Sequence, residues 1–485
     1  MATVLLINPP AEQTLVGYNP KFLDEARGYN PPLGLLLLAA MLDERSGHRV
    51  CVLDAQAEEI SYDDLAEHVA GEAPDLVGIT TMTFTLLDVV HTIEVVRRAA
   101  PEAKVVLGGP HVHLYPRETA ALPGVDFVLV GEAEYSIVEL ADRLSEPERW
   151  PEVTGLVYRR DCRLKSEMGN GKSEIVMNDR HGLIDDLDAL PFPARDLTPF
   201  RRYSSVLARR RPVTTMFTSR GCPYGCTFCD RPHLGKRFRA RSAKSVVDEM
   251  QECVEMGIHE ILVYDDTFTI DRQRVVDICR EIQHRGLDLG WDIRARVDTV
   301  DEEMLRALRA AGCERIHYGV EAGSDEFMAV LRKGITVEQV RQAFRLTRQA
   351  GIQILAYFMI GIPGQTEADV RQTFRLAREL DPDVVHITIL TPFPGTAIYR
   401  RALDEGVYPA DHWAEFARSP RPGFQPPYWT KELSREKLES LLVAFYKSFY
   451  TRPRYILRQL FKIHSWRELR DKVKAGLRVA FLRNR

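Results

Sequence analysis

The sequence has no long apolar run. Its longest, Leu33 to Leu42, stops at Asp43 after ten residues, against the roughly 20 that a spanning helix needs. It also has no excess of positive charge. Lys and Arg number 65 against 69 Asp and Glu, a net charge of -4, so no chain-wide basic field is available to hold nucleic acid. The start, MATVLLINPP, lacks the charged region of a secretory signal and meets Pro9 and Pro10 after a short apolar stretch, so it reads as a strand and implies a cytoplasmic, reducing setting. Eight cysteines in 485 residues are too few for a disulfide scaffold, yet three of them crowd together at 222, 226 and 229. Disorder is excluded by an apolar fraction of 45%, enough for real cores, and the length suits about three domains.

What is present is a β/α alternation. Val4–Pro10, His48–Gln56, Asp75–Thr80, Ala103–Gly109 and Asp126–Glu134 read as β-branched strands, separated by helical patterns such as Leu35–Arg45. This predicts an α/β, doubly wound, Rossmann-like domain over residues 1–148. Ligands of such sheets bind beyond the strands' carboxyl ends, which here carry Asn8, Thr80, Thr81, Gly108, Gly109, Gly131 and Glu132. Residues 149–205 read as a connector, with a hairpin-like stretch around Gly169 and Gly171 and then Pro-rich text. From 206 to 410 the alternation resumes in TTMFTSR, EILVYDD, LGWDIRA, RIHYGVE, ILAYFMIG and VVHITIL, which predicts a partial or complete parallel (β/α) barrel of the TIM type. Residues 411–485 read as a helical tail. From Arg452 onward it holds 11 Lys or Arg against 2 acidic residues, so 11 minus 2 leaves +9, interleaved with Trp466, Leu469 and Phe481.

The cysteine cluster reads SRGCPYGCTFCD, spaced CxxxCxxC on a Gly- and Pro-containing turn directly after the first barrel strand. Three thiolates can hold three irons of a 4Fe-4S cubane and leave the fourth open for chemistry. A zinc site completed by His233 is the competing use, although zinc ligands usually come in two separated pairs. Cys253, Cys279 and Cys313 sit in apolar helical or strand-edge patterns and read as core residues.

This motif, with Phe228 before its last cysteine, resembles that of the radical S-adenosylmethionine enzymes. The resemblance implies that the open iron binds the amino and carboxylate groups of S-adenosylmethionine. One-electron reduction, from a donor such as flavodoxin or ferredoxin, then cleaves the sulfonium to a 5'-deoxyadenosyl radical. It further implies that Asp265 and Asp266, Arg294 and Arg296, Glu321, and Gly361 and Gly364 within the stretch from Gly361 to Glu367 line the ribose, methionine and adenine subsites. Each has a plainer use as well: an Asp can cap a helix, Glu321 can pair with Arg315, and GIPG can be only a turn.

The first domain, with INPP, GIT, GGPH and GEAE in order, resembles the cobalamin-binding domains that precede the barrel in the cobalamin-dependent class, and the two resemblances cover about residues 1 to 410. The histidine motif DxHxxG that ligates cobalt from below is missing after the first strand. His111 and His113 are the nearest substitutes, and both read more simply as loop residues. A cofactor bound here is then expected to thread its dimethylbenzimidazole tail into the sheet. Cys51 and Cys162 are too few for the second cluster of the related tRNA methylthiotransferases. The expected function is methylation of an unactivated carbon of a small or lipid-like substrate, S-adenosylmethionine being both methyl and radical source. Two other readings stay open: a radical cyclase or rearrangement enzyme like the anaerobic magnesium-protoporphyrin cyclase or the hopanoid-modifying branch, and a non-catalytic cobalamin or iron-sulfur sensor or RNA-binding protein. The basic tail is expected either to pack on the barrel or to make a peripheral contact with the anionic inner membrane.

Overall fold

The computed structural model describes residues 1–15, 28–160, 174–180, 182–230, 234–460 and Arg470. Strands β1 (Thr3–Asn8), β2 (Arg49–Asp54), β3 (Leu76–Thr80), β4 (Lys104–Gly108) and β5 (Phe127–Leu129) run parallel in the order 2-1-3-4-5. Covered on both faces, β1 buries Leu5 and Ile7 in one apolar cluster and Val4 and Leu6 in another, as a period of two requires. Two further strands, β6 (Leu156–Arg160) and β7 (Glu174–Met177), extend the sheet antiparallel. They come from the stretch read as a connector. The turn expected around Gly169 and Gly171 lies outside the described residues, as does Cys162.

The second sheet is a six-stranded, all-parallel half barrel. Its strands β8 (Val213–Met216), β11 (Glu260–Val263), β12 (Gly290–Ala295), β13 (Cys313–Glu321), β14 (Gln353–Ile360) and β15 (Val384–Ile389) follow one another in chain order across the sheet. Each matches a stretch that the alternation predicted. A short ribbon, β9 (Ser219–Arg220) with β10 (Arg239–Ala240), stands above its first strand. The apolar cluster that holds Leu5 and Ile7 also holds Met216 and Ile261, so the two sheets share one continuous core.

The Pro-rich segment before the barrel is tied in by a buried charge triad. Arg195 donates to Thr214 Oγ1 at 3.0 Å and Thr215 O at 3.1 Å and pairs with Glu249, which Arg241 also engages. Burial alone would raise the Glu249 carboxyl, but the charges of Arg195 and Arg241 hold it below the ordinary glutamate value.

A half barrel leaves β15 as an edge. The helix Arg435–Tyr450 covers it: the Tyr450 hydroxyl accepts from Val385 N at 3.0 Å and donates to Val385 O at 2.7 Å, and Tyr446 does the same for Ile387 at 3.2 and 3.0 Å. Two tyrosines one helical turn apart therefore replace the missing strand. The tail begins packed, since Arg452 and Arg458 pair with Asp381 at 2.9 and 2.6 Å. Trp466, Leu469 and Phe481 lie outside the described residues. Among the described residues, no helix is long and apolar enough to cross a membrane. Replacing Tyr450 with Phe strands one buried N–H and one buried C=O, so about 1–3 kcal/mol of stability should be lost. A lower thermal midpoint and faster hydrogen exchange at the Val385 amide check this.

Candidate functional site

The three-thiol loop is built on the carboxyl end of β8. Ser219 and Arg220 pair with Ala240 and Arg239, which brings the two ends of the cysteine loop together. Gly221, at φ +80, can only be glycine, because a Cβ there would lie 2.3 Å from Arg237 O. Just before it, Asp265 accepts from Thr218 N and Oγ1 at 2.6 and 2.5 Å and from Ser219 N and Oγ at 3.0 and 2.6 Å. Burial raises its carboxyl above the ordinary aspartate value, with Arg274 and these bonds opposing. Asp265 thus fixes the turn that enters the loop. Asp266 beside it is half-buried.

Cys222 is buried, its Sγ 3.8 Å from Thr267 Oγ1, and Cys226 and Cys229 are half-buried, joined by a backbone bond from Cys229 N to Cys226 O of 3.3 Å. Among the described residues, no three His, Cys, Asp or Glu side chains converge as ligands of a single ion do. Three thiolates on one turn suit a cubane, which takes one thiolate on each of three irons and leaves the fourth open. The donor set fits the cluster. His233 lies outside the described residues.

Around the loop the structure gathers several of the residues expected at the S-adenosylmethionine subsites. Glu321 sits at a register shift between β13 and β14 with φ +71 and takes Lys333 Nζ at 2.8 Å, and that ammonium lies 5.8 Å from the Phe228 ring. Its partner is Lys333, not Arg315, which instead faces Asp292 at 3.5 Å. Arg296 forks onto Asp298 at 2.9 Å, donates to Lys333 O at 2.8 Å and stacks 3.7 Å over Tyr224 of the loop. Arg294 stacks at the same distance over Tyr264. Gly361 and Gly364 have φ +77 and +85, and Gln365 Oε1 accepts from Gly361 N at 2.8 Å. Glu367, by contrast, is a surface anchor, holding Lys437 of the covering helix at 2.6 Å.

Facing this loop, the carboxyl ends of the first sheet enclose a cavity of about 350 Å³. It is lined by Thr80, Gly108, Gly109, Gly131 and Glu132, by Leu33, Leu37 and Leu38, and from the barrel side by Phe217, Ser219 and Arg220. Added Cβ atoms at Gly108 and Gly131 would meet nothing within 4 Å, so their missing side chains are part of the space. Gly109 is needed for another reason, since at φ +103 a Cβ would lie 2.8 Å from Thr81 O. The volume suits the tail of a large cofactor better than a whole corrin. Asn8 and Thr81 lie off this lining. Asn8 donates to Asp54 at 2.7 Å, and Thr81 bonds to Gly108 O through its backbone at 2.7 Å.

Glu132 is engaged toward the barrel. Arg239 grips it as a fork, at 2.8 Å on each oxygen, Arg220 donates at 2.9 Å and Ile184 N at 2.6 Å, while a second Arg220 nitrogen reaches Glu134 at 2.5 Å. Burial alone would raise the Glu132 carboxyl, but Arg239 and Arg220 hold it below the ordinary glutamate value. Glu134, Arg220, Arg239, Lys333 and Tyr224 escaped the sequence reading. The available signals were the arginine directly before Gly-Cys and the second glutamate of GEAE.

Neither histidine after β4 lines the cavity. His111 is fully buried with Nδ1 3.0 Å from Thr83 Oγ1, and His113 Nε2 accepts from Gly131 N at 3.3 Å. After β1, residues 12–14 are held by Asp88, which accepts from Glu12 N, Gln13 N and Thr14 Oγ1 at 3.1, 2.8 and 3.1 Å.

A glycine-lined sheet edge is thus set against a half barrel with a three-thiol loop. A model of the radical SAM superfamily matches residues 216–377, and one of the B12 binding domain matches residues 21–141. An uncharacterized methyltransferase of Pyrococcus horikoshii is 32% identical over 481 residues, 99% of this chain and 98% of that protein. The anaerobic magnesium-protoporphyrin IX monomethyl ester cyclase of Cereibacter sphaeroides is 30% identical over 393 residues, 79% of this chain and 62% of its own. The fold is that of the cobalamin-dependent radical enzyme OxsB with aqua-cobalamin and S-adenosylmethionine bound, at a TM-score of 0.73 and 19% identity, over 99% of this chain and 72% of the other. The chain belongs to the cobalamin-dependent radical S-adenosylmethionine enzymes. Its cofactors are a 4Fe-4S cluster, S-adenosylmethionine and cobalamin.

His111 supplies a pH prediction. Burial lowers it from 6.5 to about 4, so between those values the unfolded chain binds a proton that the native one refuses, and stability falls as pH drops through this window. In His111→Asn that part of the acid slope, of order 3 kcal/mol at full extent, should vanish. Urea unfolding at a series of pH values between 4 and 7 reads it.

Proposed function

We propose that the protein methylates an unactivated carbon of a small or lipid-like substrate. In this reading Cys222, Cys226 and Cys229 hold the cluster, and Phe228, Asp266, Arg296, Glu321, Gly361 and Gly364 border S-adenosylmethionine. Thr80, Gly108, Gly109, Gly131 and the leucines of the helix Leu33–Arg45 cradle cobalamin. When bound, these cofactors supply a carbon-centred radical and a methyl donor. The chain's own share is geometric. Asp265 and Gly221 fix the loop, the Glu321–Lys333 pair brings no net charge to the cluster's flank, and the shared apolar core joins the two sheets. The observation that carries the proposal is that the glycine-lined cavity and the thiol loop meet at one boundary, with Arg220 of the loop base in the cavity wall. Met82 and Phe217, 37% and 38% exposed, add apolar surface to the cavity assigned to cobalamin. The methyltransferase relative supports methyl transfer, and the cyclase relative supports a second reading without it.

Anaerobically purified protein should be brown and hold about four irons. Changing any of the three cysteines to Ala should abolish 5'-deoxyadenosine formation without abolishing cobalamin binding, and Gly108→Leu should block cobalamin binding while sparing iron. With methyl-deuterated S-adenosylmethionine, hydroxocobalamin, reduced flavodoxin and a small-molecule extract, a labelled product together with S-adenosylhomocysteine supports methylation. An unlabelled, oxidised product supports the cyclase. A colourless protein holding one zinc contradicts both.

A further inference from the structure

Glu134 is the residue of this boundary that the site as described leaves half used. It begins the helix Glu134–Asp142, is 6% exposed, and lines the cavity. One oxygen accepts from Arg220 Nη2 at 2.5 Å, while Oε2 is buried with no hydrogen-bond partner. A buried carboxyl oxygen left without a donor is destabilising. Its neighbour Glu132 has no such vacancy, with Arg239, Arg220 and Ile184 N on its two oxygens. The cavity is where the orphan can be satisfied, by an N–H or O–H donor of whatever fills it.

We propose that Glu134 Oε2 accepts a hydrogen bond from bound cobalamin, and that Glu134 thereby links the cavity, through Arg220, to the base of the cluster loop. This rests on the reading that places cobalamin in the cavity. Cobalamin carries donors of the right chemistry in two places, the carboxamides around the corrin and the hydroxyl of its nucleotide tail. The link is short. Arg220 lies two residues before Cys222, and its strand pairs with Arg239 across the loop's two ends. A ligand that fixes Glu134 removes motion from Arg220, and by reciprocity a settled loop tightens cobalamin.

The test uses full-length, iron-loaded protein. Kd is measured for hydroxocobalamin and for cobinamide, which lacks the nucleotide tail, in wild type, Glu134→Gln and Glu134→Asp. In Glu134→Gln the amide oxygen can stay on Arg220 and turns an N–H toward the cofactor's donor. Glu134→Asp keeps the charge and withdraws the oxygen by one methylene. Hydroxocobalamin should bind about tenfold more weakly to either variant, iron content being unchanged. A matching loss with cobinamide places the donor on the corrin, and a loss confined to hydroxocobalamin places it in the tail. Hydrogen exchange over residues 221–230 supplies a reading independent of turnover. Hydroxocobalamin should slow it in wild type and leave it unchanged in Glu134→Gln. Affinities within twofold of wild type for both corrinoids in both variants overturn the proposal. Wild type that binds neither corrinoid, or Gly108→Leu that binds as wild type does, overturns instead the placement of cobalamin beneath it.

Discussion

Two carboxylates at the end of β5 and two guanidinium groups at the base of the thiol loop hold the protein's halves in register. Side chains of Glu132, Glu134 and Arg239 are 4%, 7% and 4% exposed and that of Arg220 is 11% exposed, so all four pay heavily for leaving water unless they find each other. Their formal charges sum to zero and their geometry is forked, which is the arrangement in which buried ions come closest to repaying desolvation. Removing one partner strands the others, a loss of about 3–5 kcal/mol for a buried pair. The placement of the cluster loop relative to the first sheet therefore depends on this group more than on any single apolar contact.

The rest of the site is arranged around that fixed loop. Asp265 holds the turn that enters it from below, and Thr227 bonds to Leu331 O at 2.9 Å and takes Ile398 N at 3.0 Å at its far side. Arg296 on Tyr224 and Lys333 near Phe228 flank it with cations that are already matched by Asp298 and Glu321. A reactive radical needs a rigid, dry surround. The edge that the half barrel leaves at its outer strand is covered by Tyr446 and Tyr450.

Much of the fold was legible because its signals are local. The apolar strands of both sheets follow from β-branched runs buried on two faces, and the three cysteines fall within eight positions of the chain. The antiparallel strands β6 and β7 were legible only as a hairpin-like stretch around Gly169 and Gly171, and their addition to the sheet was not, since Leu156–Arg160 and Glu174–Met177 lie amid polar connector text. Side-chain roles were least legible where they depend on distant partners. Glu132 reads as a ligand-edge residue but meets Arg220 and Arg239, 88 and 107 residues later. Asn8 reads the same way but turns to Asp54, and Glu321 pairs with Lys333 over the next turn of chain rather than with Arg315. Nothing in composition or period encodes such choices, because strand order alone decides which ends become neighbours.

The central claim is that the cluster and cobalamin face each other across the boundary held by Glu132, Glu134, Arg220 and Arg239. Paramagnetic resonance on the doubly loaded protein, with cobalt as cob(II)alamin and the cluster reduced, tests it most directly. The account predicts that reducing the cluster splits or broadens the cobalt signal, and that no nitrogen of a protein imidazole couples to cobalt from below. Two unperturbed spectra simply added together, or a histidine nitrogen on cobalt, would contradict it.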